Sequence, residues 1–102
     1  MQVVSFDPRY LEWVRTGTKT RTTRYGDRVE LGPARFRFES SPPVWLDAVI
    51  TDVHDAALAD LSDEDAAAEN FAHAGALQDA LRYHYPGLPG DAAVVVAHFE
   101  LI

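Results

Sequence analysis

The stretch Gly17-Thr18-Lys19-Thr20-Arg21-Thr22-Thr23-Arg24 decides how this chain is read, because a helix ends and a strand begins within it. Upstream, Asp7 followed by Pro8 reads as an N-cap and first helical residue, and Gly17 stands where a helix C-cap belongs. The first helix is therefore expected from Pro8 to Thr16. Downstream, the β-branched threonines favour an extended segment in which Thr20, Thr22 and Arg24 share one face under the two-residue period. Lys19 and Thr22 point to opposite sides if both belong to one regular strand. They converge only if Lys19 lies in the irregular turn after Gly17, where the backbone can re-aim its side chain. Three cations and four hydroxyls fall in these eight residues, so a site is expected here before anywhere else.

Sheet signals flank this stretch. Val3, Val4 and Phe6 form a short opening strand, and Arg28-Val29-Glu30-Leu31 reads as another after the turn Tyr25-Gly26-Asp27. Ala34, Phe36 and Phe38 alternate with Arg35, Arg37 and Glu39, a half-buried pattern. After Pro42-Pro43 the run Val44 to Val53 turns Leu46, Ala48 and Ile50 one way and Asp47, Val49 and Thr51 the other. From Asp55 the texture changes to alanine with acids. Ser62 caps a helix expected from about Asp63 to Phe71, its first-turn acids opposing the helix dipole favourably. A later helix carries Leu77, Leu81 and His84 on one stripe and stops before Pro86-Gly87. Ala92 to Leu101 is a final strand with Val95, Ala97, Phe99 and Leu101 facing inward. About five or six strands with intervening helices imply an α+β fold, a small β-barrel closed by the terminal strand.

At 102 residues, 47% hydrophobic and 25% charged, the chain is expected to be one domain, residues 1–102, with one core. Without cysteine it has neither disulfides nor thiolate metal sites. No apolar run approaches the roughly 18 residues of a membrane span, and no leader-like segment opens the chain, so a soluble cytoplasmic protein is expected. His54, His73, His84 and His98 show no paired helical spacing, so no metal is expected. The net charge of −7 is unevenly spread: residues 1–40 hold eight Lys/Arg against five acids, and the remainder one Arg against eleven acids. Such an acidic whole opposes gripping long nucleic acid, DNA included, whereas a local basic mouth suits a nucleoside or a short RNA. A monomer or weak homodimer is expected.

The element order, with Gly17, Lys19 and Arg24 spaced as Gly-x-Lys and an arginine five residues after the lysine, resembles the ASCH family of PUA-like β-barrels. Gly26-Asp27, Leu61 with Ala66 and Glu69, Tyr85-Pro86-Gly87 and Phe99 extend the resemblance over nearly the whole chain. Within that family it is most similar to bacterial amidohydrolases that deacetylate N4-acetylcytidine. These carry Lys-Thr-x-Thr-x-Arg, matched from Lys19 to Arg24, and Ala-x-x-Glu-Asn, matched by Ala66 to Asn70. The resemblance implies Lys19, Thr22 and Glu69 as the catalytic group; Arg24, whose guanidinium stays protonated, is expected to bind substrate together with Arg21 and Thr20, and no cofactor is expected. One departure is the loop between Arg24 and Gly26-Asp27, here Tyr25 alone and shorter than in those enzymes.

Amide hydrolysis requires a nucleophile, a proton acceptor and a group that stabilises the oxyanion. Thr22 can attack the acyl carbonyl. Lys19 can accept its proton as a neutral amine or polarise the oxyanion as an ammonium, but not both in one step. Direct contact between Glu69 and Lys19 would raise the lysine's proton affinity and favour Glu69 as the base. The competing reading is an RNA-binding PUA-like module, or a ribonuclease, with Lys19, Arg21, Arg24, Arg35 and Arg37 lining a groove.

Overall fold

The structure is a computed structural model that describes residues Met1–Ile102. One five-stranded sheet organises the chain: β1 (Gln2–Phe6), β2 (Arg21–Arg24), β3 (Gly32–Phe38), β4 (Val44–Ala57) and β5 (Ala93–Leu101). Their order in space is β1-β3-β4-β5-β2, parallel between β1 and β3 and antiparallel elsewhere. The sheet curls into a half-barrel with β1 and β2 as its edges, and three helices pack on it: α1 (Leu11–Arg15), α2 (Asp63–Ala68) and α3 (Ala74–His84). The terminal strand lies inside the sheet between β4 and β2, so it does not close the barrel as expected. A side chain spans the edges instead: the Arg24 guanidinium on β2 donates to the Ser5 carbonyl on β1 and lies 4.5 Å from the Phe6 ring centroid. No helix is long and apolar enough to cross a membrane.

The first helix forms as its local signals require. Asp7 accepts a hydrogen bond from the Arg9 amide, Pro8 opens a 3-10 turn that runs into α1, Thr16 caps its end, and Gly17 takes φ 78°. Lys19 lies in the turn that follows, its amide bonded to the Trp13 carbonyl, which meets the condition for re-aiming its side chain. At α2 the Ser62 hydroxyl and the Asp65 carboxylate form a reciprocal capping box.

Four further expectations are corrected. Arg28–Leu31 is not a strand, because the Gln2 side-chain amide takes both Glu30 backbone groups, at 2.7 and 3.1 Å, in place of a neighbouring strand. β4 continues past Asp55 to Ala57, since pairing with Val94 and Ala93 on β5 overrides alanine's poor strand propensity. Helix α2 ends at Ala68, three residues early, because Asn70 adopts φ 66° and the Phe71 and Asn70 amides bond back to the Ala66 and Ala67 carbonyls. This left-handed termination puts Glu69 at the C-cap and turns it inward. Asn70→Gly is therefore expected to keep thermal stability within a few tenths of a kcal/mol or raise it, whereas Asn70→Val, β-branched at positive φ, costs about 1–2 kcal/mol; comparative thermal melts decide.

The fourth correction concerns the core, which is two clusters rather than one. Phe6, Phe36, Phe38, Ile50 and Phe99 centre the cluster inside the half-barrel, while Leu58, Leu77, Leu81, Val94 and Val96 centre the other beneath α2 and α3. Strand β5 serves both by using its two faces in turn: Val94 and Val96 are buried on one, Ala97 and Phe99 on the other, while Val95 is half-buried and Leu101 exposed. Phe71 packs against both clusters.

Candidate functional site

Between the open edges of the half-barrel and α3 lies a hollow of about 200 Å³. Lys19, Thr22, Thr23, Arg24 and Glu69 supply its polar wall, and Phe6, Phe71, Leu77 and Leu81 its apolar wall. Lys19 and Glu69, remote in the chain, meet because the loop after α1 is tied to the end of α2: the Thr20 amide donates to the Ala68 carbonyl at 2.8 Å. That bond satisfies one of the carbonyls left unpaired at the helix end.

The Lys19 Nζ donates to Glu69 Oε1 at 2.8 Å, and the Thr23 hydroxyl donates to Glu69 Oε2 at 2.6 Å. Both side chains of the ion pair are 4% exposed. Burying two charges costs several kcal/mol per ion unless partners replace the lost water, and here each carboxylate oxygen has one. The Lys19 Nζ also lies 5.1 Å from the Tyr10 ring centroid. Burial pushes the Lys19 ammonium below the proton affinity of a free lysine, with the Arg24 charge acting in the same direction and Glu69 opposing. Lys19 therefore gives up a proton more readily than a solvated lysine.

Thr22 is buried beside this pair and bonded differently: its hydroxyl accepts from Arg24 Nε at 3.0 Å. The hydroxyl in contact with Glu69 is that of Thr23, which the sequence reading did not single out. Its only signal was adjacency to Thr22, and strand alternation argued against both lining one hollow. Arg21 and Thr20 are not at the hollow. Arg21 is held by Asp65 at 3.0 Å and Glu64 at 3.3 Å, and the Thr20 side chain is exposed. At the rim, Tyr10 and His84 share a hydrogen bond of 2.7 Å between Oη and Nε2, so the stripe residue His84 faces the hollow. Burial lowers the proton affinity of His84 and raises that of the Tyr10 phenol.

The cations expected to line an RNA groove are divided: Lys19 and Arg24 line the hollow, whereas Arg21, Arg35 and Arg37 do not. Arg35 and Arg37 stack on exposed Trp45, with guanidinium-to-ring distances of 4.6 and 5.8 Å, and pair with Asp47 and Glu39. All eight cations of residues 1–40 lie within 4.0 Å of a carboxylate.

No family model matches the chain, and no curated protein matches it. Solved structures do. A protein from Enterococcus faecalis described by the family model DUF984 aligns over 100% of this chain and 76% of its own, with TM-score 0.74 and 17% identity. An ASCH domain from Lactobacillus crispatus aligns over 98% of this chain and 79% of its own, with TM-score 0.75 and 16% identity. A variant of an ASCH protein from Zymomonas mobilis aligns over 96% and 66%, with TM-score 0.72 and 12% identity. At these identities the likeness is one of architecture: the curled sheet with its helices has the PUA-like fold of ASCH domains.

Proposed function

We propose that this chain, on its ASCH-type fold, is a metal-independent amidohydrolase that deacylates N4-acetylcytidine or a related N4-acylcytosine nucleoside. The observation that carries this reading is the buried contact of Lys19, Glu69 and Thr23 at the wall of a small-molecule-sized hollow. An RNA-binding surface has no use for a carboxylate buried on its lysine, and cations already paired with acids release few counterions. The hollow accommodates the acylated base, with the sugar towards its mouth.

Because Glu69 contacts Lys19 directly, Lys19 acts as the ammonium and Glu69 as the base. Glu69 accepts the proton of the attacking hydroxyl as its oxygen bonds to the acyl carbon. The C–N4 bond then breaks, and Lys19, a readier donor through burial, gives a proton to the departing nitrogen. Glu69 then passes its proton to the neutral Lys19 amine across their 2.8 Å contact and, as a carboxylate again, takes a proton from the water that attacks the ester. The bond from the acyl carbon to the threonine oxygen breaks, that proton returns to the threonine oxygen, and acetic acid leaves. Thr23 is the hydroxyl already coupled to Glu69, while Thr22 is held by Arg24, so the geometry favours Thr23 as the group activated and Thr22 with Arg24 as a pair facing the acyl oxygen.

The test is turnover of N4-acetylcytidine by chelator-treated protein, beside Lys19→Ala, Glu69→Gln, Thr22→Val and Thr23→Val. Loss of proton transfer is expected to slow turnover by roughly 10²–10⁴-fold in the first two. The parent profile should fall on its alkaline side as Lys19 deprotonates, at a pH below the ordinary lysine range. An inactive parent that binds an RNA oligomer in a salt-sensitive manner would establish the RNA-binding module instead, and cleavage of that oligomer the ribonuclease.

A further inference from the structure

We propose that Asp52, His54 and His98 form a binding site for one divalent transition ion of the zinc class, on the β4–β5 ladder and apart from the hollow. The three are dispersed in sequence, and pairing brings them together. A register shift between Ile50 and Asp52 sets Asp52 directly opposite His98, and His54 follows two residues on, on the same face as Asp52. One ligand atom from each residue lies within 4.8 Å of the other two.

Both imidazoles address the same carboxylate oxygen. Asp52 Oδ2 lies 3.2 Å from His54 Nδ1 and 3.8 Å from His98 Nε2. The nearer ring forms the hydrogen bond. The Nε2 of His98 has no hydrogen-bond partner and no contact with solvent, although the ring as a whole is 29% exposed. A shielded polar atom without a partner is costly, and a cation between the three groups would satisfy it.

The donor set fits such an ion. Two imidazole nitrogens and a carboxylate oxygen suit zinc, nickel or copper rather than magnesium or calcium, which take oxygen donors. In a tetrahedral centre with bonds of about 2.0–2.1 Å, ligand atoms stand a little over 3 Å apart, so the observed separations require only small rotations, chiefly of the exposed Asp52 and His54 side chains. A fourth position stays open to water. The opposing charge is Arg21, the cross-strand neighbour of His98, and its guanidinium is engaged by Asp65 and Glu64. None of the three proposed ligands lines the hollow, so this site is independent of the catalytic reading.

Chelator-stripped full-length protein titrated with Zn²⁺ by calorimetry, and with Co²⁺ by visible absorption, tests the assignment. One equivalent is expected to bind, with Co²⁺ giving the intense bands of a low-coordinate site. His98→Ala and Asp52→Asn should each weaken binding by at least the roughly tenfold that loss of an outer-sphere partner costs. His73→Ser, which removes a remote imidazole but keeps a helix cap, should leave binding unchanged. Unaltered circular dichroism separates lost ligation from misfolding. Absence of binding in the parent, or equal affinity in the His54→Ala/His98→Ala double variant, would overturn the proposal.

Discussion

Truncation of Glu69 to alanine is expected to remove about 3–5 kcal/mol of folding stability, seen as a lower urea midpoint at an unchanged slope. The change leaves the Lys19 ammonium buried without its counter-ion and the Thr23 hydroxyl without an acceptor. The loss should depend on pH with a definite sign. Burial already depresses the proton affinity of Lys19 in the folded state, and removing Glu69 depresses it further. The unfolded chain then binds more protons, so stability rises with pH between the depressed folded value and the ordinary lysine value. The variant is weakest on the acid side of that window, and the defect shrinks above it. A double replacement, Lys19→Met with Glu69→Leu, removes both charges and is expected to recover most of the stability while remaining inactive, since apolar isosteres of buried ion pairs are often neutral or stabilising. A harmless single truncation would mean that the pair is hydrated, contrary to its burial.

Phe36→Ala is expected to cost a further sum of similar size, about 3–5 kcal/mol, because the site cannot collapse around the missing ring. Phe36 has no solvent exposure and lies centrally on β3, opposite Val4 on β1 and Leu46 on β4. Its ring centroid is 4.8 Å from those of both Phe6 and Phe99. Domains of this size are stable by roughly 5–15 kcal/mol in total, so the variant should lose a large fraction of its stability. The defect should reach the hollow too, since Phe6 lines it and carries the Arg24 guanidinium on its other contacts. Calorimetric melts of parent and variant measure the first effect. An unfolding midpoint shifted by only a degree or two would show that the aromatic cluster repacks.

How far the sequence alone reached depends on whether the decisive interaction is local. Asp7, Pro8 and Gly17 bound the first helix through contacts within a few residues, and Ser62 with Asp65 starts α2 in the same way. The alternation of Ala34, Phe36 and Phe38 gave β3 its buried face, because side chains on a strand have only two directions. Such signals sufficed for an α+β sheet protein with helices in the right places. The grouping of Lys19 with Glu69 was accessible only through resemblance, since nothing about an acid in an alanine-rich helix marks it as inward-facing.

What tertiary structure alone decided are the contacts between distant segments. Gln2 occupying the Glu30 backbone removed a strand that local pattern favoured, and pairing with β5 extended β4 through alanines that local pattern disfavoured. The left-handed Asn70 and the Thr20–Ala68 bond together aim Glu69 at Lys19, and they leave Thr23 rather than Thr22 on the carboxylate. His54 and His98 became neighbours by strand register, not spacing. Local order follows from torsional preference and capping within a turn or two of chain, whereas each of these juxtapositions is selected by burial across the whole sheet, a quantity that no short stretch of residues contains.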